Sequence, residues 1–294
     1  MSSPFDHHPF LRMNGIGNAI IVLDLRGDGL QMTPHHARAI ARADGLAYDQ
    51  MMVLYPPRTP GTEAFVHIYN NDGTLSGACG NGTRCVAWAL MQNSDARILK
   101  VETQAGILDC TRLDDWHFTV DMGPPKLGWQ DIPLSMAPPD TMQVSLPGFP
   151  NLPPAAMVNM GNPHAVFFMA NIDDWNLPEL GPKLENHPIF PQKANISFAQ
   201  VLARGLVRLR VWERGVGITL ACGSAACATL VAGVSRQLLD NAATIRLPGG
   251  ELQMLWRNLA GSGKPADRHV EMSGAVELEF AGRFDPAIFA SVAA

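Results

Sequence analysis

A single internal duplication restricts this 294-residue chain more than any other feature. Gly17-Asn18 falls on Gly161-Asn162, an offset of 144. Tyr69-Asn70 falls on Trp212-Glu213, and ten residues after each aromatic comes the cysteine of Ala78-Cys79-Gly80 or Ala221-Cys222-Gly223, an offset of 143. Gly106-Ile107-Leu108 matches Gly250-Glu251-Leu252 at 144, and Val120-Asp121-Met122 matches Val270-Glu271-Met272 at 150. Anchors in the same order at half the chain length mean two similar domains, not a short-period solenoid. The expected fold is α/β of the α+β type. Two pseudo-symmetric domains each wrap a mixed sheet around a central buried helix, with the active site in the cleft between them. The expected boundaries are 1–124 with 276–294 for the first domain and 125–275 for the second.

Local patterns supply the elements. Ile20–Leu23 and Ala165–Phe168 are short apolar runs that read as buried strands. Phe65–Tyr69 and Leu206–Trp212 alternate or are β-branched, as strands are. Cys85–Met91 and Ala225–Val234 are apolar all round, which predicts helices buried in the middle of each domain. Ile98–Glu102, Phe118–Met122, Thr244–Leu247 and Val276–Phe280 complete the sheets. The stretch 123–154, with Pro124-Pro125 and Pro138-Pro139, reads as a crossing linker plus a long loop.

Charge and cysteine usage narrow the function. A net charge of −5 argues against a nucleic-acid partner. No apolar run approaches the ~18 residues of a membrane span, and no signal peptide is evident, so the expected compartment is the cytoplasm. Five cysteines are too few, and odd in number, for a disulfide framework. Cys85, Cys110 and Cys227 read as inert core.

Cys79 and Cys222 are different, because each stands at the matching place before a buried helix. A thiol at a helix N-terminus meets free N–H groups and the positive dipole end, which is expected to lower its pKa from ~8.5 toward neutrality. The same N–H groups bind carboxylates, and the glycines after each cysteine allow close approach. Two thiols facing one carbon could remove a proton on one side and return one on the other, inverting a stereocentre. No metal is required, and no cofactor motif is present. A Walker loop, a dinucleotide fingerprint and a lysine in a pyridoxal-type setting are all missing from the sequence.

Those motifs resemble the diaminopimelate epimerase family. Asn70-Asn71-Asp72-Gly73 with Ala78–Cys85 is similar to its first signature. Glu213-Arg214-Gly215-Val216-Gly217 with Leu220–Ser224 is similar to its second. Met160–Val166, Gly181-Pro182 to Glu185-Asn186-His187-Pro188, Val120–Pro125 and Leu247–Gly250 also resemble family motifs. The resemblance implies interconversion of LL- and meso-diaminopimelate without pyridoxal phosphate, in lysine and peptidoglycan precursor synthesis, by a homodimer. It implies Cys79 and Cys222 as the two bases, and Gly80, Asn81, Gly223 and Ser224 as holding the reacting carboxylate and amino end. It places Asn18, Gln50, Asn70, Asn162, Asn195, Glu213 and Arg214 on the substrate, with His164 and Glu213 assisting the thiols.

Taken alone, the same residues leave other readings open. Arg214 could clamp a distal carboxylate or form an ion pair. Asn18 and Asn162 follow glycines and could simply make turns, and His164 could be a structural histidine. This chain also departs from the common pattern at Asn14–Ile20, at Ile218 in place of a Glu, and at Gly274-Ala275 in place of Gly-Pro. The alternatives are a related cofactor-independent racemase of another amino acid, and a redox-sensing module in which the paired cysteines form a disulfide.

Overall fold

The computed structural model describes residues 3–257 and 268–290. It divides into two compact units, residues 1–120 with 274–294, and residues 121–273.

Unit 1 opens with the antiparallel pair β1 (Pro9–Asn14) and β2 (Ala19–Asp24). Helix α1 (Pro34–Arg42) carries the chain to β3 (Gln50–Tyr55), parallel to β2. β4 (Ala64–Asn70) returns antiparallel to β3 and pairs with the short β5 (Leu75–Ser76). After α2 (Gly80–Met91) comes β6 (Ile98–Thr103), parallel to β4. β7 (Gly106–Arg112) and β8 (His117–Asp121) then pair antiparallel in sequence.

Unit 2 repeats each of these steps. β9 (Ala155–Asn159) and β10 (Pro163–Phe168) are antiparallel. α3 (Leu177–Glu185) leads to β11 (Asn195–Ala203), parallel to β10. β12 (Leu206–Glu213) is antiparallel to β11 and pairs with the short β13 (Gly217–Thr219). α4 (Gly223–Ser235) precedes β14 (Ala242–Leu247), parallel to β12. β15 (Gly250–Trp256) and β16 (Val270–Ala275) close the ladder. The chain then returns to unit 1 with β17 (Glu277–Arg283), antiparallel to β1, and a 3-10 turn at Pro286–Phe289.

The expected mixed sheet around a central buried helix is therefore what forms. In α2 every residue from Gly80 to Trp88 is buried, and α4 is buried almost throughout. A helix with no polar face is stable only when covered on all sides. α4 is enclosed by β9, β10, β11, β14 and β15, and α2 packs on β2, β3 and β7. Register refines the last anchor of the duplication. Cys110 faces Val120, and its counterpart Met254 faces Met272, so Val120 corresponds to Met272 rather than Val270. The slip of two residues keeps the same face toward the core.

The 123–154 stretch differs from the expected linker. It has no strand or helix of its own beyond isolated bridges at Lys126 and Val144. Yet Ile132, Leu134, Val144 and Leu146 are buried in the same cluster as Met157, Phe167 and Phe198. It is a coat on the core of unit 2, which itself begins at Asp121. Among the described residues no helix is long and apolar enough to cross a membrane.

One packing contact fixes α3 against β12. A Cβ on Gly181 would sit 2.3 Å from Trp212 Cδ2, inside the rigid indole. Gly181→Ala is expected to destabilise the protein by about 2 kcal/mol through overpacking. A lowered denaturant midpoint with an unchanged slope is the result that checks it.

Candidate functional site

The duplicated sheet frame sets the candidate residues in matching rows. In unit 1, Ile20 lies beside Gln50 on the parallel pair, and Gln50 lies opposite Asn70. In unit 2, His164 lies beside Asn195, and Ile196 opposite Trp212 sets Asn195 level with Glu213. Cys79 comes nine residues after Asn70, and Cys222 nine after Glu213. Each cysteine is the N-cap of its buried helix, with extended backbone at φ −150° for Cys79 and −138° for Cys222. The first turn of each helix is buried with its body, from Gly80 to Thr83 in α2 and at Gly223, Ala225 and Ala226 in α4.

In unit 1 the thiol meets a backbone N–H and a side-chain amide. The Gly82 N–H donates to Cys79 Sγ at 3.2 Å, the kind of bond that favours a thiolate. Gly82 has no room for a side chain: a Cβ there would lie 2.4 Å from Met52 Sδ on β3. Cys79 Sγ is 3.9 Å from Asn18 Oδ1, while Asn18 Nδ2 donates to Asp49 at 3.0 Å. Gln50 Nε2 reaches Asn70 Oδ1 at 3.4 Å, and Asn70 Nδ2 donates to Thr74 Oγ1 at 3.0 Å. Gly80 and Asn81 form the first turn. Asn81 is buried, and its Oδ1 meets no donor among the described residues.

In unit 2 the corresponding groups carry charge. Cys222 is buried, and Ser224 Oγ lies 3.5 Å from its Sγ. The sequence suggests a lowered thiol pKa here, but the structure shows the opposite. Burial pushes the Cys222 thiol well above its ordinary value, the Glu213 carboxylate pushes it further, and contacts from Ser224 and the Ala225 N–H only partly offset both. Desolvation of a thiolate outweighs the helix terminus. Glu213 is itself held by Thr219, whose hydroxyl donates to Oε1 at 2.6 Å. Gly223 completes the first turn of α4.

His164 is fully buried, and burial followed by the nearby Arg214 charge depresses its pKa to about 3. It is therefore neutral at physiological pH. Its Nε2 lies 2.8 Å from Asn162 Oδ1, whereas its buried Nδ1 has no partner among the described residues. The proton belongs on Nε2, because a buried N–H without an acceptor is the more costly orphan. Asn195 is spent on the backbone, donating to Pro163 O at 3.0 Å and accepting from the Arg214 N–H at 2.9 Å. Arg214 is exposed, donates to Gln192 O at 3.1 Å and forms no ion pair among the described residues.

The structure thus gathers Asn18, Gln50, Asn70, Cys79, Gly80 and Asn81 in unit 1. It gathers Asn162, His164, Asn195, Glu213, Arg214, Cys222, Gly223 and Ser224 in unit 2. Sequence reasoning missed the residues that hold them: Asp49, Thr74, Thr219 and Glu185. Thr219 had a legible signal, being two positions from Gly217 on a strand that returns toward Glu213. Asp49 had none.

Comparison with known proteins gives a consistent picture. The diaminopimelate epimerase family profile matches residues 10–128 and 156–276. A curated diaminopimelate epimerase from Methylobacterium sp. (strain 4-46) is 51% identical over 99% of this chain and 100% of its own. Another, from Rhodopseudomonas palustris (strain BisB18), is 52% identical over 97% of each chain. Solved structures share the fold at low identity. A PhzF-family phenazine biosynthesis protein from Bacillus anthracis has a TM-score of 0.68 at 13% identity, covering 94% of this chain and 98% of that one. A probable proline racemase from Agrobacterium radiobacter K84 has a TM-score of 0.67 at 14% identity, covering 94% and 92%.

The contrast between the two thiols is measurable. Iodoacetamide at neutral pH is expected to label Cys79 before Cys222. Because burial and Glu213 raise the Cys222 pKa, its labelling should accelerate only at strongly alkaline pH. Equal labelling rates, followed site by site with mass spectrometry, would contradict this.

Proposed function

The chain belongs to the diaminopimelate epimerase family, and on that footing we propose that it interconverts LL- and meso-diaminopimelate with Cys79 and Cys222 as its two bases. The observation that carries this reading is the recurrence of an N-cap thiol at the same place in both units. Inversion needs a proton acceptor on one face of the reacting carbon and a donor on the other. The Cys79 thiolate takes the Cα proton, and the carbanion takes a proton from the Cys222 thiol, so one thiol and one thiolate are present before and after. The opposite stereoisomer uses the pair in reverse.

The proton inventory fits those roles. Cys222 keeps its proton because burial and Glu213 disfavour the thiolate, which suits a resident acid. Once Cys222 has given the proton away, the Ala225 N–H and Ser224 stabilise the thiolate left behind. The N–H groups of both first helical turns are the natural holders of the reacting carboxylate, whose charge grows as the carbanion forms. The unpartnered Asn81 Oδ1 is an acceptor for the substrate ammonium. Arg214 takes the distal carboxylate in a forked pair, a role that its exposure and the absence of an acidic partner among the described residues leave open to it. Neutral His164 orders Asn162 rather than carrying a proton.

We also propose a cytoplasmic homodimer. β17 pairs with β1 and carries Phe280, which is 42% exposed. An exposed aromatic on a regular strand suits packing against a second copy. Sedimentation should give a dimer, and Phe280→Lys should shift it to monomer.

The deciding experiment for the chemistry is incubation of reduced protein with LL-diaminopimelate in D₂O. Deuterium should enter the product Cα. Cys79→Ser and Cys222→Ser should each lower turnover by about 10²–10⁴-fold. Full activity in either variant would sink the two-base reading. Preference for an amino acid with a single carboxylate would sink the assignment of the substrate.

A further inference from the structure

The motif running from Gly181 to Pro188 has no part in the chemistry above, yet its Glu185 is among the most buried charged groups of unit 2, at 5% exposure. Its two carboxylate oxygens have separate duties. Oε2 accepts from Trp212 Nε1 at 2.8 Å, and Oε1 accepts from the Gly215 backbone N–H at 3.0 Å. Lys193 Nζ approaches Oε1 at 3.4 Å. Burial alone would raise the Glu185 pKa, but these donors outweigh it and hold the group below its ordinary value, as a carboxylate.

These contacts converge on one turn. After β12 the chain reverses at Arg214-Gly215, closed by the Val216 N–H to Glu213 O at 3.1 Å, with Gly215 at φ +75°. The Arg214 N–H is bound by Asn195, its guanidinium by Gln192 O, and the next N–H by Glu185. A charged acceptor on a backbone N–H is among the stronger neutral-to-ionic bonds available. The turn also stands on β12 through Trp212, whose ring lies over Gly181 one helical turn before Glu185.

We propose that Glu185 is a positioning residue that fixes the Arg214-Gly215 turn, so that Arg214 is presented in the orientation that binds the distal carboxylate of the substrate. The inference rests on the role of Arg214 proposed above. Glu185 touches no reacting atom. Its effect falls on recognition of the far end of the substrate and leaves the thiol chemistry alone.

Glu185→Gln is the test, since it keeps the volume and replaces one acceptor by an NH₂ that cannot accept from Gly215 or Trp212. KM for LL-diaminopimelate should rise about tenfold, the usual scale for losing a bond to a charged group, with kcat little changed. Discrimination against the analogue bearing hydrogen in place of the distal carboxylate should fall by a similar factor. Loss of kcat with unchanged KM, or unchanged discrimination, would overturn the proposal. Should Glu185→Gln fail to fold, Glu185→Asp retains the charge but falls one methylene short, and the same KM-selective change is expected of it. Hydrogen exchange at the Gly215 amide decides independently of turnover. It should accelerate in either variant, and unchanged protection would overturn the proposal. A wild-type protein inactive on diaminopimelate with Gly215 protection lost in the variant would instead remove the substrate assignment while leaving the hold on the turn in place.

Discussion

A helix that is apolar on every side has to be enclosed, and enclosure decides where its first turn can be. In both units the helix is buried together with the turn that follows its capping cysteine. The capping sulfur is therefore placed mainly by hydrophobic burial distributed over a dozen residues. This accounts for the tolerance of tight packing at the helix start, where Met52 occupies the space a side chain on Gly82 would need. It also means that shifting the helix by a fraction of an ångström shifts the sulfur with it.

The repeat supplies geometry, and divergence within the repeat supplies chemistry. Where unit 1 has Ile20, Gln50 and Asn70, unit 2 has His164, Asn195 and Glu213 at the corresponding strand positions. The carboxylate at Glu213, where unit 1 has the amide of Asn70, raises the proton affinity of Cys222. The generic expectation for a cysteine at a helix terminus failed at Cys222 for that reason. The dipole of α4 is present, but a fully covered sulfur beside Glu213 is governed by desolvation and like charge.

Much of this was legible in the amino-acid order because the duplicated motifs coincide with the ends of strands and helices. Ala-Cys-Gly announces a cap followed by a buried helix, and the strands flanking it are apolar or alternate. α1 and α3 were not read. α1 buries only Ala37 and Ile40, and α3 contains Gly181 and Pro182, which oppose a helix until Trp212 packs over it. The 123–154 stretch was legible as a long loop but not as a coat, because its scattered Ile, Leu and Val side chains seal a core without forming a ladder. The roles of Asp49 and Glu185 were not legible because their partners come from distant sequence: Asp49 serves Asn18, and Glu185 serves Gly215.

The uncharged imidazole of His164 has one more effect. With its single hydrogen directed at Asn162 Oδ1, it takes the oxygen end of that amide and turns the nitrogen end the other way. Asn162 thereby keeps both amide hydrogens, and one of the two lone pairs on its oxygen, for other partners. A histidine that never titrates in the working range thus acts as a spacer of fixed handedness, settling which end of the Asn162 amide faces away from it.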